Sequence, residues 1–142
     1  MPLSEAEREF LEKHHSALMI TVARSGIPRV ARVGVALVGG RLWSSGTVSR
    51  VRTARLRRDP RCSVCVLGPG PSWVTLETRV TILEGADAAR QNLELFRVMQ
   101  GRPTGSLNWY GEELEEGNFL STMAADHRLI YQFEVDRVYG AY

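Results

Sequence analysis

Between Trp73 and Leu83 the chain alternates. Val74, Leu76, Thr78, Val80 and Ile82 take one set of positions, and Thr75, Glu77, Arg79 and Thr81 take the other. Successive side chains of a strand leave on opposite faces, so a period of two held over that length predicts a half-buried barrel strand. The same pattern predicts strands over 17–24, 29–38, 41–45, 61–67 and 128–138. In the second of these Ala31, Val33, Val35 and Leu37 share a face, and in the last Leu129, Tyr131, Phe133 and Val135 do. Ser25-Gly26-Ile27-Pro28, Gly39-Gly40 and Gly68-Pro69-Gly70-Pro71-Ser72 supply turn chemistry between neighbours.

Elsewhere the period shifts toward that of a helix. Ser4 and Glu7 form a capping box, with Ala6, Phe10 and Leu11 making one apolar side of a first helix. Val48, Val51 and Ala54 recur at helical spacing after Thr47 or Ser49 as N-cap, and Pro60 ends that helix. Ala89, Leu93 and Phe96 share one side of a helix reaching Gln100, before Gly101-Arg102-Pro103-Thr104-Gly105 breaks it. Glu112, Glu113, Glu115 and Glu116 then predict a second helical stretch with a solvated acidic face, although Gly117 falls inside it. The fold class is therefore mainly β with α. Six antiparallel strands form a small barrel, with a short helix after strand three and a helical insert before the last strand. The 142 residues are the size of one domain, 1–142.

Composition narrows the class further. Apolar and charged fractions, 44% and 24%, are those of an ordinary globular protein. No apolar run approaches the roughly 18 residues of a spanning helix, and the opening M-P-L-S-E-A-E-R-E-F is too acidic for a signal peptide. A cytoplasmic protein that does not engage a membrane is expected. Cys62 and Cys65 form C-S-V-C, but residues three apart on a strand face opposite ways and no second pair completes a zinc site. Both read as structural cysteines, and no metal is expected. His14 and His15 also face different ways, and a favourable cation at a helix C-terminus accounts for them. Glu77 and Arg79 read as a cross-barrel or subunit-contact pair.

Charge changes the picture most. Thr47 to Arg61 holds Arg50, Arg52, Arg55, Arg57, Arg58 and Arg61 against one acid, Asp59, in a chain whose net charge is only +2. The remainder is net acidic, so positive charge is focused on one helix. Helix N-termini already carry about half a positive charge, and acids are the usual first-turn residues. Arg50 and Arg52 stand there instead, beside small hydroxyl residues, which is the pattern of a phosphate site. The plain alternative is a solvated basic helix, since seventeen of the eighteen basic residues are arginine.

These segments together resemble the pyridoxamine-phosphate-oxidase-like split-barrel flavin and deazaflavin proteins, and within them the actinobacterial group that binds coenzyme F420. The resemblance spans F-L-E-K-H-H near the start, R-x-R-T-x-x-L-R-R-D-P-R at 50 to 61, W-V-T-L-E-T-R at 73 to 79 and V-Y-G at 138 to 140. It implies a split barrel in which Ser45, Arg50 and Arg52 hold the ribityl chain and phosphate of the cofactor. Thr47, Ser49 and Arg55 join them as cofactor-binding candidates. Trp73 matches an aromatic near the flavin-type ring, often presented by the partner of a homodimer. The chain departs from the family's commoner Lys at Arg52, Asn at Arg55 and Gly at Thr78. The implied activity is that of an oxidoreductase taking a hydride from reduced F420 to a small unsaturated organic substrate, with FMN as the alternative cofactor. No Ser-His-Asp or carboxylate pair is found, and the catalytic residues are not identified. Two rival classes stand beside it. One is a cofactor carrier without turnover. The other is a nucleic-acid binder with Trp43, Trp73 and Trp109 as stacking platforms, disfavoured because no aromatic interleaves the arginines and the remaining chain is net acidic.

Overall fold

The computed structural model describes residues 2–142. A first helix, α1 (Glu5–Lys13), precedes strands β1 (Ser16–Val22), β2 (Pro28–Val38) and β3 (Arg41–Thr47). The arginine helix α2 (Val51–Arg58) follows, then β4 (Arg61–Leu67) and β5 (Trp73–Leu83). After α3 (Ala88–Gln100) come two short strands, β6 (Leu107–Trp109) and β7 (Glu112–Leu114), then α4 (Glu116–Ala125) and β8 (Arg128–Ala141). Six strands close into an antiparallel barrel in the order β1-β2-β3-β8-β5-β4, while β6 and β7 pair separately. The split-barrel fold expected from the sequence is the fold observed.

Alternation builds that closure. Val74, Leu76 and Val80 of β5 enter a core shared with Val33 and Val35 of β2, Val64 and Val66 of β4, and Leu129, Tyr131 and Phe133 of β8. β5 and β8 form the longest pair, from Trp73↔Ala141 to Leu83↔Ile130, with a bulge between Glu77 and Thr78. Gly140 is required there, because a Cβ would fall 2.3 Å from the Trp73 carbonyl oxygen. Asp136 lies where the register skips, and Arg79 bonds it at 2.9 and 3.1 Å. The partner of Arg79 is thus Asp136 and not Glu77. Thr78, where the family's commoner residue is Gly, is buried with its hydroxyl on the Cys62 carbonyl at 2.7 Å.

Several local expectations need correction. The acidic stretch is not one helix. Glu112 and Glu113 lie on β7, because Tyr110 and Gly111, both with positive φ, turn the chain back on itself. The helix starts only at Glu116. The four acids are exposed as expected, and two of them make surface pairs, Glu113 with Arg102 at 2.6 Å and Glu116 with Arg97 at 3.3 Å. Neither Thr47 nor Ser49 caps α2. Thr47 ends β3, the Arg50 N–H turns back to its carbonyl, and Arg50 becomes an N-cap without a side-chain bond. His14 is the C-cap of α1, its ring 4.6 Å from that of Phe10, and the His15 ring meets the Val35 carbonyl at 2.9 Å. His14 thus sits at the C-terminus of α1 as expected, while His15 lies beyond the helix.

Two outer layers complete the fold. Leu95 of α3 packs with Ala36, Trp43 and Ile130 on the outside of the barrel, and Leu93 packs with Leu107, Phe119 and Met123. Both cysteines are free, with Cys62 in the barrel core and Cys65 half-buried. Burial pushes the Cys62 thiol up to about 12. A thiol so protonated is a poor nucleophile. Cys62 is therefore expected to resist iodoacetamide in the folded protein at neutral pH and to react after unfolding in urea, as read by mass spectrometry. Rapid native labelling of Cys62 would contradict this burial.

Candidate functional site

Between α2, the β1–β2 side of the barrel and the β6–α4 insert lies an open cleft of about 880 Å³. Five arginines line it, Arg29, Arg50, Arg52, Arg55 and Arg128, against one carboxylate, Asp126. Asp126 is already engaged by Arg128 Nε at 2.6 Å. Among the described residues the other four arginines have no carboxylate partner. The six arginines of the basic segment are thus divided by the fold. Arg50, Arg52 and Arg55 turn to the cleft, whereas Arg57 pairs with Glu84, Arg58 bonds the Val22 carbonyl and Arg61 pairs with Asp59. The contact with Arg61 holds the Asp59 carboxyl down at about 2.

Arg52 is half-buried. Its Nε is buried and makes no hydrogen bond, one of two such side-chain atoms among the described residues. Burial pulls its guanidinium below the ordinary range. The Tyr131 hydroxyl beside it acts the other way, and Arg50 adds to the fall. An orphaned buried donor costs about 1–3 kcal/mol, and more when charged, so a partner for Arg52 belongs in the cleft.

The polar atoms beneath Arg52 have a fixed proton order. Thr53 Oγ1 lies 2.7 Å from the Thr47 carbonyl and must donate to it. That hydroxyl has one proton, so the Tyr131 hydroxyl at 2.5 Å donates to Thr53. Tyr131 is left with lone pairs beside Arg52. Its ring in turn needs Gly46, where a Cβ would sit 2.3 Å from the Tyr131 Cζ. Thus β3, α2 and β8 together set the position of one guanidinium.

The predicted site residues separate into two groups. Thr47, Ser49, Arg50, Arg52 and Arg55 come together on the cleft, with Arg55 Nη1 also 3.5 Å from the Thr21 hydroxyl. Ser45 does not join them, because its hydroxyl donates to Asn92 Oδ1 under α3. Trp73 also lies elsewhere, at the start of β5, edge-on to Tyr139 at 6.0 Å. Of the three candidate stacking platforms, Trp43 is buried with its N–H on Gln132, so it offers no face to a base. Arg29, Arg128, Tyr131 and Tyr110 were not anticipated, and Trp109 was foreseen only as a stacking platform. A turn signal, Tyr110-Gly111, was present for the last pair, whereas Arg29 and Arg128 reach the cleft only through barrel closure.

Residues 3–99 match the family model described as pyridoxamine 5'-phosphate oxidase. The chain belongs to that family. Solved structures agree on the fold. A conserved hypothetical protein from Mycobacterium tuberculosis superposes with a TM-score of 0.74 at 21% identity, over 97% of this chain and 84% of that one. A protein named F420 reductase gives 0.72 at 18% identity, over 96% and 98%. A FAD-binding protein from Mesorhizobium loti gives 0.63 at 19%, over 97% and 94%. At such identities the likeness is one of fold. No curated protein matches the sequence. At the level of the family, the match supports a flavin-type cofactor-binding oxidoreductase. Among the described residues no helix is long and apolar enough to cross a membrane.

Tyr131→Phe and Thr53→Val each break the chain of donors under Arg52. Each is expected to leave the barrel folded and lower the unfolding free energy by about 1–3 kcal/mol in urea titrations. Because the two hydroxyls share one bond, the double variant should cost less than the sum. Strict additivity would remove the inferred coupling.

Proposed function

We propose that the protein is a cytoplasmic, homodimeric reductase that binds reduced coenzyme F420 at the subunit interface. It passes a hydride from the cofactor to a small unsaturated organic substrate. The observation that carries this reading is the buried, unpartnered Nε of Arg52 in a cleft of arginines. An anion is what such a site lacks, and a phosphate matches the planar donor fork of arginine. The residues fit a phosphorylated cofactor. Arg50 and Arg52 would clamp its phosphate at the uncapped start of α2, with Thr47 and Ser49 supplying hydroxyls and Arg55 further charge.

When bound, F420 supplies the hydride chemistry. The chain's own residues bind and orient. Arg52 is held by Tyr131 and Thr53, so its donors are aimed before the ligand arrives, which lowers the ordering cost of binding. Trp73, remote from this cleft in its own chain, would cover the cofactor ring in a site completed by the partner's Trp73. Ser45 would act through β3, since Asn92 already takes its hydroxyl.

FMN is the second reading, because the same anchor serves any flavin phosphate. The number of unpaired arginines favours the deazaflavin. FMN presents one phosphate, whereas F420 carries a phosphate followed by an acidic tail, which gives Arg29 and Arg55 something to meet. A carrier without turnover would use the same anchors and differs only in failing to oxidise the reduced cofactor when acceptors are added.

Equilibrium titration with F420 and, separately, FMN at two salt concentrations tests this reading. F420 is expected to bind more tightly and with the steeper salt dependence. Arg52→Ala removes a charge-assisted bond of about 1.5–3 kcal/mol, which corresponds to a Kd higher by about 10- to 100-fold, with the melting temperature kept. Unchanged affinity in that variant would remove the phosphate assignment.

A further inference from the structure

Arg128 reaches the cleft by strand register. It stands directly opposite Thr47 in the β3–β8 pair, and residues so placed share a face, here the one toward the cleft. Its side chain is only 8% exposed, the least of any cation in an ion pair among the described residues. The Trp109 ring supports it, with the guanidinium 4.9 Å from the ring centre. The turn that carries Asp126 and Arg128 is pinned as well. The Asp126 and His127 N–H groups bond the Thr122 and Ala124 carbonyls, and the Val48 N–H bonds the His127 carbonyl.

The pair with Asp126 leaves most of this guanidinium unused. Arg61 and Arg79 each give their carboxylate two nitrogens, Nε and Nη2. Arg128 gives Asp126 only Nε, at 2.6 Å. Four of the five N–H groups of a guanidinium lie on the terminal nitrogens, and those of Arg128 make no hydrogen bond among the described residues. Its charge is also felt across the cleft. Burial does most to pull the Arg52 guanidinium down, and Arg50 and then Arg128 add to the fall. Arg52 and Arg128 thus face one cavity with donors to spare, and like charges so placed repel unless an anion joins them.

We propose that Arg128 is the third arm of the anion clamp, holding from β8 with its terminal nitrogens the same anionic group that Arg52 holds from α2. The assignment rests on the cleft being the anion site proposed above, and it narrows what the anion is. Donors arriving from two elements suit a tetrahedral phosphate, whose free oxygens point in several directions, better than a carboxylate, whose two oxygens lie on one edge. Asp126 then has a defined part. By fixing Nε it sets the plane of the fork, so Arg128 need not be ordered by the ligand.

Calorimetric titration of the cofactor-free protein with inorganic phosphate, and separately with F420, tests the proposal in wild type, Arg128→Gln, Arg128→Lys, Arg52→Ala and the Arg52→Ala, Arg128→Gln double variant. Phosphate is expected to bind the wild type, with acetate failing to compete at matched ionic strength. Arg128→Gln should raise the phosphate Kd about tenfold and flatten its salt dependence, as the loss of one charged contact does. Arg128→Lys keeps the charge but not the planar fork, so it should keep the salt dependence and recover only part of the affinity. It also carries the test if Arg128→Gln does not melt cooperatively. Because the two arginines share one anion, the double variant should depart from the sum of the single ones. Wild-type phosphate affinity in a folded Arg128 variant, with Arg52→Ala still weakened, overturns the proposal and leaves the anion site standing. Equal competition by acetate overturns it too, as does strict additivity, which would give the arginines separate anions. Unchanged salt dependence in Arg128→Gln would make Arg128 a structural prop and overturns it likewise. A wild type that binds neither phosphate nor F420 removes the anion site itself, whereas the phosphate pattern without F420 binding supports Arg128 and removes only the deazaflavin.

Discussion

A single buried bond, the Tyr131 hydroxyl on Thr53, ties the last strand of the barrel to the first turn of the arginine helix. Little else fixes that end of α2. The helix has eight residues, no side-chain cap and only Thr53 and Leu56 buried. Isolated helices of that length do not persist in water, so tertiary contacts must hold it. Leu56 supplies the apolar contact in the barrel core, and Thr53 supplies direction, bonding back to the end of β3 and across to β8. Remove the direction and the arginines remain, but they are no longer aimed.

Aiming matters because the cations of α2 repel one another. Arg57 and Arg61 relieve this with ordinary surface pairs to Glu84 and Asp59. Such exposed pairs contribute about 0–1 kcal/mol and cannot decide the fold. Their effect is sorting, since each acid is placed to neutralise an arginine that faces away from the cleft. Nearer the cleft the one carboxylate is taken by Arg128, whose guanidinium also covers Trp109. The net acidic remainder of the chain therefore does not silence the site. A charged ligand meets cations that the protein itself has left unpaired.

The barrel was legible in the sequence because its signal is local and repeated. Strand alternation, glycine turns and Pro60 placed all six barrel strands and the start of α3 within a few residues. The acidic stretch was misread for an equally local reason. Four glutamates within five residues look like a solvated helix, and only the Tyr110-Gly111 turn reveals the hairpin. Charge counting located the arginine helix but could not divide its arginines. That division depends on Glu84, twenty-seven residues from Arg57, and on the strand register that brings Arg128 opposite Thr47. Ser45, on β3, shows the same limit, since its hydroxyl partner Asn92 lies on α3, 47 residues along the chain. Trp73 stays apart from the cleft within its own chain, at the start of β5 against Tyr139.

Three departures from local preference meet on this one cleft. A helix begins with arginine and no cap, a buried guanidinium nitrogen lacks a partner, and a tyrosine occupies a left-handed turn position while remaining exposed. Each is unfavourable for folding by itself. Not every such departure lies here, since α3 and α4 also begin without a side-chain cap, the buried Ser16 hydroxyl has no partner and His127 has a φ of 51°. Sequences that specify one structure tend to break such rules where function demands it. What sets this cleft apart is that its departures share a cavity with four arginines that have no carboxylate partner among the described residues.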